Sequence, residues 1–237
     1  MDPVRTFLSQ LSGSSVLDLA CGDGWFTERL CENLSGCKRV IGVDIDGREL
    51  VDARDMWDHR YPVRFELGTA MDLRFGCGSF DIVAVSNALH HIPNPGRALA
   101  EARRVLKPGG AVVVHEMTSE VAGRDRENAR DFHHLKAQVD RLLGIPHQET
   151  LSEAQTLALL EGAELEVRRI DRYDPPPQTE SEAIEARIEF LRDYITHVME
   201  RNEFASIRKR ATLLAERIRV NGFAPAPQLL IEASAPA

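Results

Sequence analysis

The stretch Val16–Thr27 constrains the fold of this chain more than any other part of the sequence. It begins with an apolar run short enough for a buried strand, continues through the small residues of Ala20–Gly24, and enters a predicted helix at Trp25. Small residues let a backbone turn tightly and approach a ligand closely. The free N–H groups of a helix N-terminus face the same turn, so this stretch predicts a cradle for a nucleotide-type ligand.

The segment Asp18–Gly24, with the sequence DLACGDG, resembles the first motif of class I S-adenosylmethionine (SAM)-dependent methyltransferases, D/E-x-G-x-G-x-G. The dinucleotide motif G-x-G-x-x-G fits poorly, because Thr27 would stand at its last glycine. Ala20 replaces the first glycine of the methyltransferase motif, where a methyl group costs little unless φ is positive, and Phe26 replaces the third. The resemblance implies that this turn holds the methionine part of SAM through Asp18, Ala20, Cys21, Gly22 and Gly24.

A second predicted strand, Arg39–Asp46, ends in acidic residues. Asp44 follows the glycine turn by about twenty residues, which suits a carboxylate that binds ribose hydroxyls. The alternative is a loop aspartate that caps a helix at Gly47–His59. Given the first motif, we favour a ribose site at Asp44 and Ile45.

The segment Gly68–Phe75 follows a predicted third strand, Val63–Leu67, and resembles the family's G-D-A-x-x-L-P-F. In the family, the acid after the glycine contacts the adenine amino group. This chain has Thr69 there, so either Asp72 or the Thr69 hydroxyl would take that role. The adenine contacts implied by the resemblance are Ala70, Met71 and Asp72.

The run Phe80–Glu116 resembles the fourth and fifth strands of the same family, with its F-D-x-V, L-H-H and L-K-P-G-G pieces. It predicts strands at Ser79–Asn87 and Ala111–Glu116, and a helix at Gly96–Leu106. The resemblance implies that the backbone of Ser86 and Asn87 contacts the cofactor. It extends over Val16–Glu116 in all.

Alternating strands and helices predict an α/β fold with a doubly wound, mostly parallel, seven-stranded Rossmann-like sheet. In the family the sheet has an antiparallel last strand, and here a helical insertion precedes it. Ligands of such sheets bind at the carboxyl ends of the strands. All the candidate residues above lie at those ends.

Helical spacing of apolar residues in the second half predicts helices at Arg124–Leu143 and Ser181–Met199, and a further helix around Ile207–Ile218. Strands are predicted at Glu164–Ile170 and Gln228–Glu232.

These elements suggest a SAM-binding core formed by residues 1–174 and 222–237, with a helical insert at about 118–150. Residues 175–221 would form a helical hairpin that acts as a lid or a dimer arm. The alternative is a helical pair that packs on its own domain.

Candidate catalytic residues follow the fourth and fifth strands. His90 and His91 lie where the family's loop borders cofactor and acceptor, and a histidine with a pKa near neutrality can accept a proton from the acceptor. The alternative is that one of the pair only fixes the loop. His115 and Glu116 are second choices as the base, and strand alternation directs them to opposite faces.

Three further histidines, His133, His134 and His147, raise the question of a metal site. Adjacent histidines on a helix diverge by about 100° and do not readily share an ion. The spacing Glu116…His133…His147 matches no metal-binding motif. We therefore expect no metal site and place these histidines around the acceptor pocket.

Composition limits the partners and the compartment. The net charge of −8 disfavours nucleic acid. The four cysteines have no C-x-x-C spacing, and no apolar run reaches about 18 residues, so zinc, disulfide and membrane frameworks are not expected. We expect a cytoplasmic protein that acts on a small-molecule acceptor and dimerises, if at all, through the hairpin.

The sequence thus suggests a SAM-dependent methyltransferase that transfers a methyl group to O, N or C of a small molecule. In-line displacement needs mainly alignment of the two reactants, with a histidine base where the acceptor must lose a proton. The first alternative is an aminopropyl transferase, disfavoured because Ser86–His91 contains no acid. The second is an inactive SAM-fold subunit that binds a partner.

Overall fold

The computed structural model describes residues 2–57 and 60–236. The last two residues of the predicted helix Gly47–His59 lie outside this part of the chain. The strands are β1 (Ser15–Leu19), β2 (Arg39–Asp44), β3 (Val63–Leu67), β4 (Phe80–Ser86), β5 (Leu106–Met117), β6 (Glu166–Tyr173) and β7 (Gln228–Ser234). The α-helices are α1 (Pro3–Leu8), α2 (Trp25–Asn33), α3 (Gly47–Trp57), α4 (Pro95–Val105), α5 (Arg124–Leu142), α6 (Glu153–Gly162), α7 (Ser181–Tyr194) and α8 (Phe204–Asn221). Short 3-10 helices cover Leu89–His91 and Ile195–Val198.

Within the described residues, the strands form one seven-stranded sheet in the order β3-β2-β1-β4-β5-β7-β6. The first five strands in this order pair in parallel, and antiparallel pairing at the last strands makes the sheet mixed. The register places Leu17 of β1 between Ile41 of β2 and Val83 of β4. All of β1 is buried, as expected for a strand covered on both faces. The predicted fold class is confirmed.

Strand β5 begins earlier than the predicted Ala111–Glu116. It starts at Leu106, which pairs with Phe80 across a register irregularity between Phe80 and Ile82. Gly109 has φ 76° within this early part. The irregularity accommodates extra residues between Leu106 and Ala111, and the left-handed Gly109 is one of them, so the strand begins before the predicted Ala111.

The chain divides into two compact units. The first contains the residues up to Glu116, Ala154–Arg172 and Leu229 onward, and so carries most of the sheet. Its core combines the central strands with the buried faces of the surrounding helices, such as Leu30 of α2 and Leu99 of α4.

The second unit contains Met117–Glu153 and Tyr173–Gln228. Helices α5, α7 and α8 pack around a shared apolar core with the second 3-10 helix. The core residues are Ala129, Phe132, Leu135, Val139, Ile188, Leu191, Ile195, Val198, Ile207, Ala211, Leu214, Ala215, Ile218 and Phe223. The sequence-based division into a core and a hairpin, and the lid or dimer role of the hairpin, stay predictions. No helix in the described part of the chain combines the length and apolarity needed to cross a membrane.

Candidate functional site

A cavity of about 510 Å³ lies in the first unit, beside the residues that follow β1, β2 and β4. It is the crevice expected at the carboxyl ends of a doubly wound sheet. Most of the predicted site residues line it, namely Asp18, Ala20, Cys21, Gly22, Asp44, Ile45, Ala70, Met71, Ser86, Asn87 and His91. Four predicted site residues are not among its lining residues, namely Gly24, Asp72, His90 and Glu116.

Asp18 is a fully buried carboxyl group at the end of β1. Its Oδ2 accepts a 2.6 Å hydrogen bond from Thr27 Oγ1 on α2, and its Oδ1 has no hydrogen-bond partner among the described residues. Burial raises the pKa of Asp18 to about 7, against the Thr27 hydrogen bond that lowers it, and nearby Asp44 adds to the rise. A buried carboxylate oxygen without a partner is costly, and a cationic ligand group would satisfy it.

The glycine turn contains three residues in the left-handed region. The φ angles are 52° for Ala20, 52° for Gly22 and 83° for Gly24. Ala20 is therefore strained, since a β-carbon in this region costs about 1–2 kcal/mol. Ala20, which replaces the first glycine of the methyltransferase motif, thus stands at a position where a glycine would avoid this strain.

Gly24 has a packing role in this turn. A β-carbon there would lie 2.7 Å from Trp57 Cδ1. Trp57 Nε1 in turn donates a 2.9 Å hydrogen bond to the Asp23 carbonyl oxygen. Gly24 thus lets the end of α3 close over the turn, although it does not line the cavity.

Asp44 links the end of β2 to the glycine turn. Its Oδ2 accepts a 2.8 Å hydrogen bond from the Gly22 N–H, and its Oδ1 accepts one of 2.8 Å from the Asp46 N–H. Each carboxylate oxygen has a second lone pair, so both can still accept a hydroxyl hydrogen. The two hydrogen bonds therefore fix the Asp44 carboxylate, and it keeps lone pairs that can accept further hydrogen bonds.

The cavity lining is acidic. Asp18, Asp23, Asp44 and Glu49 contribute to it, and the described lining includes no lysine or arginine. Burial raises the pKa of Glu49, and Asp23 and the other neighbouring acids add to this. Sequence reasoning missed Asp23 and Glu49. Their position in the turn and in the first turn of α3 could have indicated them, since both segments border the crevice.

Thr69 belongs to the segment expected to bind adenine, and it lines the cavity. Thr69 Oγ1 accepts a 3.2 Å hydrogen bond from the Met71 N–H, and Ala70 and Met71 also line the cavity. Asp72 donates its N–H to the Thr69 carbonyl oxygen, and its exposed side chain lies outside the lining. Thr69 and Asp72 are the two residues expected to replace the family's adenine-binding acid, and of these only Thr69 is among the residues that line the cavity.

Phe26 occupies a buried place beside β5. Its ring stacks on His115 at 5.5 Å between centroids, and His115 Nδ1 lies 2.8 Å from Ser86 Oγ. Burial lowers the pKa of His115 to about 4. The bulky residue at the third glycine position thus lines one side of the cavity and packs against a neutral histidine.

His90 and His91 have different surroundings. His90 is buried, and its Nδ1 lies 2.9 Å from Glu116 Oε1. Glu116 Oε2 accepts a 2.9 Å hydrogen bond from the Leu89 N–H, so this carboxylate connects β5 to the loop after β4. His91 is half-buried and lines the cavity, 4.3 Å from His90 between ring centroids.

Comparisons with known proteins bear on the same region. A family model described as a methyltransferase domain matches residues 17–114. A demethylmenaquinone methyltransferase of Lactococcus lactis subsp. lactis (strain IL1403) is 39% identical over 111 residues, which cover 46% of this chain and 44% of that protein. An O-methyltransferase of Penicillium expansum is 33% identical over 116 residues, covering 48% of this chain and 41% of that protein. The chain thus spans less than half the length of these curated relatives.

A structural likeness extends further. A solved structure of an S-adenosylmethionine dependent methyltransferase from Mesorhizobium loti matches with a TM-score of 0.58 and 18% identity, covering 97% of this chain and 95% of that one. At this identity the likeness concerns the fold alone. With the domain match and the crevice above, it leads to one assignment. Residues 17–114 of this chain match the methyltransferase domain family, and the chain has the Rossmann-like fold of the solved methyltransferase structure.

Proposed function

We propose that this chain is a SAM-dependent methyltransferase that acts on a small-molecule acceptor. The observation that carries the proposal is the acidic cavity at the carboxyl ends of β1, β2 and β4, with its four carboxyl side chains. One of them, Asp18, keeps a buried oxygen that has no hydrogen-bond partner within the part of the chain that the structure describes.

The charge of the cavity favours SAM over a dinucleotide. SAM carries an ammonium and a sulfonium, whereas the pyrophosphate of NAD is anionic. Carboxylates in a cleft with low-dielectric walls attract cations and repel anions. A lining without lysine or arginine among its described residues offers a pyrophosphate no cationic partner.

The residues present fit the cofactor in the following way. Asp18 Oδ1 would accept a hydrogen bond from the methionine ammonium, and the left-handed turn at Ala20–Gly22 would let the backbone approach it. Asp44 would bind the ribose hydroxyls. Thr69 with Met71 would border the adenine, and Ser86–Asn87 would contact the cofactor through the backbone.

When bound, SAM supplies an activated methyl group on a sulfonium that leaves as a neutral thioether. The protein then needs mainly to align the acceptor and exclude water. His91 is our candidate base, because it lines the cavity. His90 and Glu116 are proposed as positioning residues that hold the loop after β4.

The acceptor is proposed to be a small molecule methylated on O, N or C. The names of the two curated relatives, a demethylmenaquinone methyltransferase and an O-methyltransferase, support this class. The net charge of −8 is a further argument against a nucleic-acid acceptor.

Titration calorimetry with S-adenosylhomocysteine tests the proposal, with NAD as the control ligand. We expect a micromolar dissociation constant for the thioether, which corresponds to about −8 kcal/mol, and no heat with NAD. Asp44→Ala should weaken binding at least tenfold. The matched control is Asp72→Ala, an acid outside the cavity lining, which should bind like the wild type.

Absence of thioether binding would contradict the proposal and favour the partner-binding subunit. Equal losses in Asp44→Ala and Asp72→Ala would contradict the assignment of the ribose site. Where binding holds, release of S-adenosylhomocysteine from SAM during an acceptor screen tests the enzymatic step.

A further inference from the structure

A polar cluster in the second unit connects α5 to the segment that follows it. His133 and Asp140 lie on α5, and His147 lies five residues beyond the end of this helix at Leu142. His147 and Asp140 are buried, and His133 is half-buried. Buried imidazole and carboxylate groups among apolar helices call for a physical explanation.

The two imidazoles present the same ring nitrogen to each other. His133 Nε2 and His147 Nε2 are 3.0 Å apart, and the ring planes lie at 73°. An ion about 2.0–2.1 Å from both nitrogens would see them at an angle of roughly 91–97°. This angle suits an octahedral or five-coordinate ion, and a tetrahedral ion needs the nitrogens to separate by about 0.4 Å.

At its other ring nitrogen, His147 contacts a carboxylate, as metal-binding histidines often do. His147 Nδ1 lies 2.5 Å from Asp140 Oδ2, which fixes the ring and leaves Nε2 as the ligand atom. A carboxylate behind a ligating imidazole raises its basicity and sets its tautomer. The His147 carbonyl oxygen also accepts a 2.7 Å hydrogen bond from Arg141 Nη1, which holds the backbone.

Asp140 is itself firmly placed. Lys136 Nζ lies 2.8 Å from Asp140 Oδ2, and the Tyr194 hydroxyl donates to Oδ1. These contacts with Lys136, Tyr194 and His147 hold the Asp140 carboxylate in one orientation behind the His147 ring.

We propose that His133 and His147 bind a divalent transition-metal ion through their Nε2 atoms, with Asp140 as the positioning residue behind His147. Imidazole nitrogens favour Zn²⁺, Co²⁺ and Ni²⁺ over Mg²⁺ and Ca²⁺. Water or a chelating ligand supplies further coordination. The ion joins α5 to the segment after it, and so stabilises this part of the second unit.

The proposal departs from the expectation drawn from the sequence. The adjacent histidines His133 and His134 do not share a site, because His134 Nε2 lies 2.9 Å from Thr150 Oγ1 and is engaged elsewhere. The pair that converges is His133 and His147, which the spacing did not indicate. His134 therefore provides a matched control on the same helix.

Cobalt titration of the full chain, free of any histidine tag and stripped of metals with a chelating resin, tests the site. We expect one equivalent of Co²⁺ to bind with visible d–d absorption, and Zn²⁺ to displace it. His133→Gln and His147→Gln should each weaken Co²⁺ binding at least tenfold, and Asp140→Asn by about 10–100-fold. His134→Gln should bind like the wild type.

Thermal unfolding gives a second readout that needs no enzymatic activity. Zn²⁺ should raise the Tm of the wild type and of His134→Gln, but not that of His133→Gln. His133 is the half-buried member of the pair, so this variant keeps the test valid if His147→Gln does not fold. Co²⁺ binding that is the same in the wild type and His133→Gln, or no Co²⁺ absorption in the wild type, would overturn the proposal and leave the pair as an imidazole–imidazole hydrogen bond.

Discussion

Thr27 Oγ1 donates a 2.6 Å hydrogen bond to Asp18 Oδ2, and this contact joins the end of β1 to the first turn of α2 inside the first unit. Both side chains are completely buried. The contact satisfies one oxygen of Asp18, a residue that lines the cavity, and the other oxygen has no hydrogen-bond partner among the described residues. In the proposed function, Asp18 binds the cationic ammonium group of the ligand.

The affinity for S-adenosylhomocysteine should rise with pH. Burial raises the pKa of Asp18 to about 7, so the carboxylate that pairs with the ligand ammonium is scarce below this pH and fully present above it. Between about pH 5.5 and pH 8 the wild-type affinity should therefore increase about tenfold or more. Asp18→Asn should bind at least tenfold more weakly at pH 8 and show no such increase. Calorimetry at both values measures this, and a parallel pH dependence in the two proteins would exclude Asp18 as its source.

The stability of the ligand-free protein should depend on Asp18 in the opposite direction. Between the usual aspartate pKa of 3.8 and about 7, the folded protein holds a proton on Asp18 that the unfolded chain has released. The free energy of unfolding contributed by Asp18 therefore falls as pH rises through this range, by up to about 1.4 kcal/mol per pH unit, and is constant above it.

Urea unfolding of the wild type and Asp18→Asn at several pH values isolates this contribution. The difference is needed because the lowered pKa of His115, about 4 through burial, acts on stability in the other direction. Asp18→Asn should gain stability over the wild type at pH 8 relative to pH 5. A difference that does not change with pH would show that Asp18 ionises normally.

Replacement of Ala20 by glycine should stabilise the protein. Ala20 has φ 52°, where a β-carbon is strained, so Ala20→Gly should raise the free energy of unfolding by about 1 kcal/mol. Ala102→Gly, in the interior of α4, is the matched control and should lower it by about 1 kcal/mol or more. Urea unfolding compares the two, and destabilisation by Ala20→Gly would contradict the strain.

Gly24→Ala should destabilise the protein more than Gly36→Ala. Both glycines have positive φ, 83° and 73°, so both variants incur the left-handed penalty. A β-carbon at Gly24 would also lie 2.7 Å from Trp57 Cδ1, whereas at Gly36 it would meet no atom of residues 2–57 and 60–236 within 4 Å. We expect losses of about 2–3 kcal/mol and about 1 kcal/mol respectively in urea unfolding. Equal losses would mean that Trp57 moves aside at no cost.

Substitution of His91 should affect the rate of methyl transfer, whereas substitution of His90 should affect the stability of the protein. His91→Asn should lower kcat about 10²-fold or more for an acceptor that loses a proton, with little change in thioether affinity, if His91 is the base. His90→Asn should instead lower stability, because it removes a buried partner of Glu116. Kinetics of SAM turnover with calorimetry and urea unfolding separate these effects. A larger kcat loss in a normally stable His90→Asn would assign the base to His90.

Much of the first unit could be predicted from the sequence because its cues are local. Trp25 begins α2 as predicted, β3 has the predicted bounds Val63–Leu67, and the crevice collects Asp18, Asp44 and Ser86. Parallel strands bring their carboxyl ends to one edge, so the order of elements already implies which residues meet there. The early start of β5 was missed because it depends on the pairing of Leu106 with Phe80 of β4, which local sequence patterns do not show.

The sequence by itself determined the sheet, the glycine turn and the acids at the strand ends, because strand periodicity and turn chemistry act over a few residues. Only the tertiary structure decided which side chains are buried, and what they meet. It separates His91 at the cavity from His90 against Glu116, and brings His133 to His147 across fourteen residues. Such contacts depend on the packing of elements that lie far apart along the chain, which local patterns do not encode.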